Sequence, residues 1–295
     1  MSGAAMQMEL VHASTPDGLR LDGSLQMPET AARHPALDAV LCVHGAYGNF
    51  YGAVFNGLFP RLLDLGVAVC RPNLRSHDII SRSPSLEGER IVGSAYEIVD
   101  ECRHDIAGWI QLLASRGLTR IALLGHCLGS IKALYAQAFS QFPEIRSVAA
   151  ISPVRFSHSH YVASSRAEGF LKNFALAKER VANGDPRALF WVQHPYNLLH
   201  SAESFLDQFG PDERYNVLNF AHRVACPHLI IFGSQELAEM YSMSNFDKEI
   251  SALPDGSGGR RKIVVVPGAN HLYKGKEVRA ALENELEKWL THEHD

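Results

Sequence analysis

The run Ile121-Ala-Leu-Leu-Gly125-His126-Cys127-Leu128-Gly129-Ser130 constrains this chain more than any other stretch. Four β-compatible apolar residues lead into Gly-x-Cys-x-Gly, and Ile131–Phe139 then follows with the apolar spacing of a helix. The spacing predicts a strand, a tight turn and a helix in direct succession. A strand that reverses sharply into a helix leaves no room for Cβ atoms beside the turn residue, which is what the two glycines provide. The turn lifts Cys127 out at the strand's end. It also sets the sulfur near a helix N-terminus, where unpaired N–H groups favour a thiolate.

A length of 295 residues admits one large α/β domain or about two ordinary ones. With 46% hydrophobic residues, 20% charged residues and a formal net charge of −4, the composition is that of a globular protein. No basic block is present, so neither nucleic acid nor an anionic membrane is expected as a partner. The longest apolar runs, such as Ala39–Val43 and Leu229–Phe232, are too short to span a bilayer. Met1–Glu9 has neither the basic nor the apolar segment of a leader, and no Cys-x-x-Cys pair occurs among Cys42, Cys70, Cys102, Cys127 and Cys226. Reduced thiols and a cytoplasmic location are therefore expected. Ser157-His-Ser-His160 lacks a third ligand at metal-site spacing, so no metal is expected. Nor is any cofactor expected, because neither Gly-x-Gly-x-x-Gly nor Gly-x-x-x-x-Gly-Lys-Ser/Thr appears.

Taken in order, Met8–Ser14 and Leu19–Met27 read as a hairpin across Pro16-Asp-Gly18, followed by a buried strand at Ala39–Val43. Helical spacing covers Phe50–Leu65, Tyr96–Arg116, the stretch from the elbow to about Phe142, and Lys276–Leu290; residues 81–94 read as loop. Further strands fall at Val67–Cys70, Ser147–Ile151, Pro227–Phe232 and Lys262–Val266. Strands alternating with helices predict an α/β fold with a mostly parallel central sheet flanked by helices. Between Pro153 and Ala225 the alternation stops, and helical stretches occur at Ala167–Ala182 and Ser201–Gln208. Residues 1–152 and 226–295 are thus read as the core and 153–225 as a helical cap.

In a parallel sheet, ligands bind at the carboxyl ends of the strands. Four such ends carry chemistry: His44-Gly45-Ala46, Cys127, Glu236 and His271. A thiol needs a neighbouring histidine to become a thiolate, and that imidazole needs an acceptor on its other nitrogen. The order nucleophile, acid, histidine fits residues 127, 236 and 271; Glu239 and, more weakly, Asp247 are other candidates for the acid.

With these motifs the sequence resembles the α/β-hydrolases along nearly its whole length. Gly-His-Cys-Leu-Gly is similar to the elbow box of dienelactone hydrolases, which are shorter and lack a cap of this size. The resemblance implies Cys127 as nucleophile, His271 as base and Glu236 as triad acid. It also implies an oxyanion hole from the backbone N–H groups of Ala46 and Leu128. His44 is read as a structural loop residue. Arg155, Tyr47 and His126 are candidate substrate contacts, Arg155 as partner of a carboxylate or phenolate among the cap aromatics. The expected partner is a small-molecule acyl compound, aromatic or carboxylated. A cysteine nucleophile suits esters, lactones and thioesters better than amides. The implied activity is hydrolysis through an acyl-cysteine, with acyl transfer or cyclisation, and a non-catalytic binding protein, as alternatives.

Overall fold

The computed structural model describes residues 8–29, 33–52, 54–255 and 260–292; the residues before Met8, most of the stretch read for a leader, lie outside them. An antiparallel hairpin of β1 (Glu9–Ser14) and β2 (Arg20–Gln26) comes first, with Glu9 opposite Leu25 and Ser14 opposite Arg20. Then follow β3 (Ala39–Val43), α1 (Leu58–Asp64), β4 (Ala68–Pro72), a ribbon of β5 (Ser81–Ser85) and β6 (Gly88–Val92), and α2 (Cys102–Ser115). The elbow joins β7 (Ile121–His126) to α3 (Leu128–Ser140), and β8 (Ile145–Ile151) follows. Eight strands form one sheet in the order β1-β2-β4-β3-β7-β8, completed by β11 (His228–Gly233) and β12 (Arg261–Val266). From β4 to β12 in that order all pairs are parallel, and β2 alone runs against the others.

Alternation along each strand feeds two apolar layers, which is why the central strands read as continuous apolar runs. Leu41, Leu123, Val148 and Ile230 face Trp109, Ile131 and Leu134 of α2 and α3. Val40, Leu124, Ala149 and Ile231 face Leu58 and Leu62 of α1 and Leu282 and Leu286 of the last helix.

Three local expectations are corrected. The helix expected from Phe50 begins only at Leu58, because Phe50 N–H donates to Asn73 Oδ1 (2.9 Å) and Asn49 Nδ2 to Asp78 Oδ1 (2.9 Å), holding the segment as turns against the end of β4. The helix expected from Tyr96 starts at Cys102, after two short 3-10 turns. Residues 81–92, read as loop, form the β5–β6 ribbon.

Between β8 and β11 lie α4 (His158–Val162), α5 (Ala167–Ala182), β9 (Leu189–Val192), β10 (Leu198–Ser201), α6 (Ala202–Phe209) and α7 (Val217–Phe220). The segment is therefore not helical throughout: β9 and β10 pair as an antiparallel ribbon. Its interior is aromatic, with Tyr161–Phe170 and Phe205–Phe209 ring centroids 5.3 and 5.0 Å apart. After β11 come α8 (Ser234–Glu239), α9 (Phe246–Ser251), β12 and α10 (Lys276–Leu290). Among the described residues no helix is long and apolar enough to cross a membrane.

Candidate active site

Cys127 sits between β7 and α3 with φ 58° and ψ −126°, a backbone conformation that L-residues other than glycine rarely adopt. The neighbouring glycines make the turn possible. A Cβ on Gly125 would lie 2.3 Å from the Gly129 carbonyl oxygen, and one on Gly129 would lie 2.3 Å from that of Val43. Cys127 N–H donates to Ile151 O (2.9 Å), and Ser130 Oγ lies 2.9 Å from Gly125 O and 2.6 Å from Ile151 O. Ser130, unremarked in the sequence, thus ties the first helical turn to two strands.

His271 follows β12 in a short loop, and Glu236 stands in the first turn of α8. Glu236 is buried and accepts from Gly233 N–H (2.7 Å) and Ser152 Oγ–H (2.5 Å) on Oε1, while Oε2 lies 2.8 Å from His271 Nδ1. A carboxylate oxygen can only accept from that nitrogen, so Nδ1 carries a proton and the other nitrogen is left free for Cys127, whose thiol the ring influences directly. Tyr273 Oη lies 3.1 Å from Ser152 Oγ. Sequence reasoning missed both: Ser152 (φ 49°) and Tyr273 (φ 48°) are isolated polar residues in buried surroundings. Glu239 is exposed and bonded to Gln235 (2.8 Å), and Asp247 stands in the first turn of α9; Glu236 is the carboxylate that touches His271.

Burial pushes the Cys127 thiol up, but the facing His271 and the Leu128 N–H outweigh it and hold the thiol below its usual range. Burial pulls His271 down, yet its contacts with Cys127 and Glu236 raise it to about 10. Both shifts favour a thiolate facing an imidazolium. The remaining cysteines go the other way: burial takes Cys42 and Cys226 up to about 12 and raises Cys70 and Cys102 as well. Iodoacetamide is therefore expected to label Cys127 alone in the folded protein. Its rate should fall less between pH 8.5 and pH 7 than that of an ordinary thiol, which slows roughly 15-fold. A depressed thiol pKa keeps the thiolate at the lower pH, and reactivity is lost only as pH falls through that depressed value. A stopped-flow or mass-spectrometric rate that tracks an ordinary thiol overturns the ion pair.

Ala46 follows Gly45 in the loop after β3, and Leu128 opens α3 beside the sulfur. His44 shapes that loop: its Nε2 accepts from Leu74 N–H (2.9 Å), so Nδ1 carries the proton given to Gly45 O (2.9 Å). Burial brings its pKa down to about 3 and keeps it neutral. At Gly45 a Cβ would lie tightly against the elbow, 3.0 Å from His126 O and 3.1 Å from Cys127 Cβ. Tyr47 (φ 59°) lines the cavity, and its hydroxyl accepts from Leu199 N–H of β10, joining the loop to the cap ribbon. His126 also lines the cavity, and its Nε2–H donates to His271 O (2.7 Å). Burial, and then the positive His271 ring 5.0 Å away, lowers it to about 3, so it is neutral and steadies the His271 loop.

Cys127 opens onto a cavity of about 560 Å³, closed on the cap side by Val154, Phe156, Tyr196 and Leu198 and near α8 by Met240. Arg155 is not among its walls, which corrects the reading of that residue as a substrate partner. It is buried, with guanidinium nitrogens 3.0 and 2.9 Å from the Glu249 carboxylate and its charge stacked 4.3 Å from the Phe246 ring centre. Its charge is already satisfied by a partner 94 positions away in the chain. No group of three or more metal-ligating side chains occurs among the described residues.

No curated protein matches the chain by sequence. Solved structures of similar shape include the alpha/beta hydrolase GrgF from Penicillium sp. sh18, at 15% identity and TM-score 0.70 over 95% of this chain and 97% of that one. DcsB, solved in complex with its substrate analogue, superposes at 12% identity and TM-score 0.68 over 96% and 98%. The esterase domain of a Rhodothermus marinus protein does so at 16% identity and TM-score 0.58 over 97% and 98%. These likenesses establish the fold. The sequence model of the alpha/beta hydrolase fold matches residues 38–193, more than half the chain and spanning the elbow, and the protein belongs to that family.

Proposed function

We propose that the protein hydrolyses carboxylic esters, lactones or thioesters through an acyl-enzyme on Cys127. The carrying observation is that His271, its Nδ1 held 2.8 Å from the Glu236 carboxylate, and Cys127 on its strained elbow line the same cavity. The thiolate attacks the substrate carbonyl carbon, and the Ala46 and Leu128 N–H groups receive the charge that develops on its oxygen. The tetrahedral species collapses as His271 gives its proton to the departing alkoxide or thiolate. The neutral imidazole then takes a proton from water, whose oxygen attacks the thioester. Collapse releases the carboxylic acid and restores the thiolate–imidazolium pair. Glu236 keeps Nδ1 protonated throughout, so the catalytic nitrogen faces the sulfur. An esterase domain among the structural neighbours is consistent with this chemistry.

Intact-protein mass spectrometry after mixing with a panel of p-nitrophenyl esters and thioesters tests the reading. One acyl mass is expected on the protein, mapping to the peptide that contains Cys127, with free acid accumulating on turnover. No adduct from any donor, together with an unreactive Cys127, overturns it. Product carried to an added alcohol or amine in preference to water changes the reading to acyl transfer.

A further inference from the structure

Arg71, near the end of β4, lines the cavity, where it is the only Lys, Arg, Asp or Glu among the described lining residues. Its surroundings differ from those of the chain's buried arginines. Arg75 faces Asp17 and Asp105, and Arg155 faces Glu249, whereas no carboxylate among the described residues pairs with Arg71. Its guanidinium makes only long contacts: Nε to Ser24 Oγ at 3.5 Å and Nη2 to Met8 Sδ at 3.7 Å. The charge lies 5.4 Å from the Phe59 ring centre, so an aromatic surface holds it in place without neutralising it. A guanidinium has five N–H donors in a fixed fork that matches a carboxylate bidentately. Half-buried in a largely apolar cavity, such a cation attracts an anion more strongly than it would in water.

The sheet register places this cation relative to the nucleophile. Cys70 pairs with Leu41 and Leu41 with Leu123, so Arg71 falls level with Cys42 and Leu124, two strands across and three residues short of Cys127. Strand spacing and residue rise put the two backbones roughly 14 Å apart. The guanidinium's contacts, Ser24 of β2 and Met8 just before β1, lie on the far side of β4 from β7, so the substrate has to bridge a gap of at least this order.

We infer that Arg71 anchors a remote carboxylate, and that the substrate class is an acyl compound with a carboxylate several bonds from its reactive carbonyl, such as a hemiester or hemithioester of a dicarboxylic acid. This rests on the reading of Cys127 as nucleophile. The carboxylate pairs with Arg71 while the distal carbonyl lies over the thiolate. Arg71 thus takes the role that the sequence suggested for Arg155.

The test compares kcat/KM for p-nitrophenyl hemiesters of dicarboxylic acids of about four to ten carbons with that for the same esters whose far carboxylate is capped as a methyl ester, a range that spans the gap estimated from the strand spacing. At the best length the free carboxylate is expected to be preferred about 10- to 100-fold, expressed in KM, as befits a charge-assisted pair. The preference should collapse toward unity in Arg71→Gln and return in part in Arg71→Lys, which restores the charge without the fork. A wild-type enzyme with no preference at any length, or an Arg71→Gln enzyme that keeps it, overturns the anchor. The wild-type comparison decides the matter even if both variants misfold. Neutral esters that acylate Cys127 without any carboxylate preference remove the anchor and leave the nucleophile reading standing. Failure of every ester to acylate Cys127 removes that reading first, and the anchor with it.

Discussion

Cys127→Ala is expected to lower kcat on any ester donor by on the order of 10⁵-fold, with no acyl adduct by mass spectrometry and an unchanged circular dichroism spectrum. The loss is this large because no other cysteine can substitute: burial pushes Cys42 and Cys226 up to about 12 and raises Cys70 and Cys102. The variant carries a second readout. His271 is held at about 10 partly by the facing thiolate, so removing the sulfur should bring its titration, followed by NMR, down toward the ordinary imidazole range. A His271 that titrates unchanged without the sulfur removes the ion pair from the mechanism. Turnover that survives in Cys127→Ala removes the acyl-cysteine.

Glu236→Gln is expected to cost about 10³- to 10⁴-fold in kcat while KM moves little. The native carboxylate receives three hydrogen bonds, from Gly233 N–H, Ser152 Oγ–H and the His271 ring. A glutamine has one carbonyl oxygen and an NH2 that can only donate, so one orientation or the other sets donor against donor. If the NH2 meets His271, Nδ1 must surrender its proton and the nitrogen toward Cys127 becomes the protonated one in the neutral ring. If the NH2 meets Gly233, a buried backbone N–H is orphaned, at about 1–3 kcal/mol of stability. Steady-state kinetics with a thermal melt separates the outcomes. A variant with native kcat shows that the Glu236 charge is not needed.

What could be read from the chain followed from how local each signal is. The elbow is legible because Gly125 and Gly129 answer a steric demand within five residues, which the sequence displays directly. Glu236 and His271 are legible by position, since each follows a buried strand in an alternating pattern. Ser152 and Tyr273 are not, because each bonds to groups far along the chain and stands in no pattern of its own. Arg155 was misread for the same reason: its partner Glu249 lies on α9, and nothing around residue 155 announces it. The β5–β6 ribbon was missed because Ser81–Ser85 holds Pro84 and Gly88–Val92 is mostly exposed, so neither strand shows apolar alternation. The β9–β10 ribbon escaped because four-residue strands inside an aromatic-rich cap give too short a period to separate from helix.

Among the described residues eight non-glycine positions have positive φ, and Tyr47, Cys127, Ser152 and Tyr273, half of them, border the site. Each such conformation costs on the order of 1 kcal/mol and persists only while its surroundings impose it. The reactive centre is thus under tension, and the sheet beneath it is at rest. Mild loosening of the packing lets the centre relax into ordinary turns long before the strands separate. Mild denaturant is therefore expected to abolish Cys127 labelling selectivity before the circular dichroism spectrum changes.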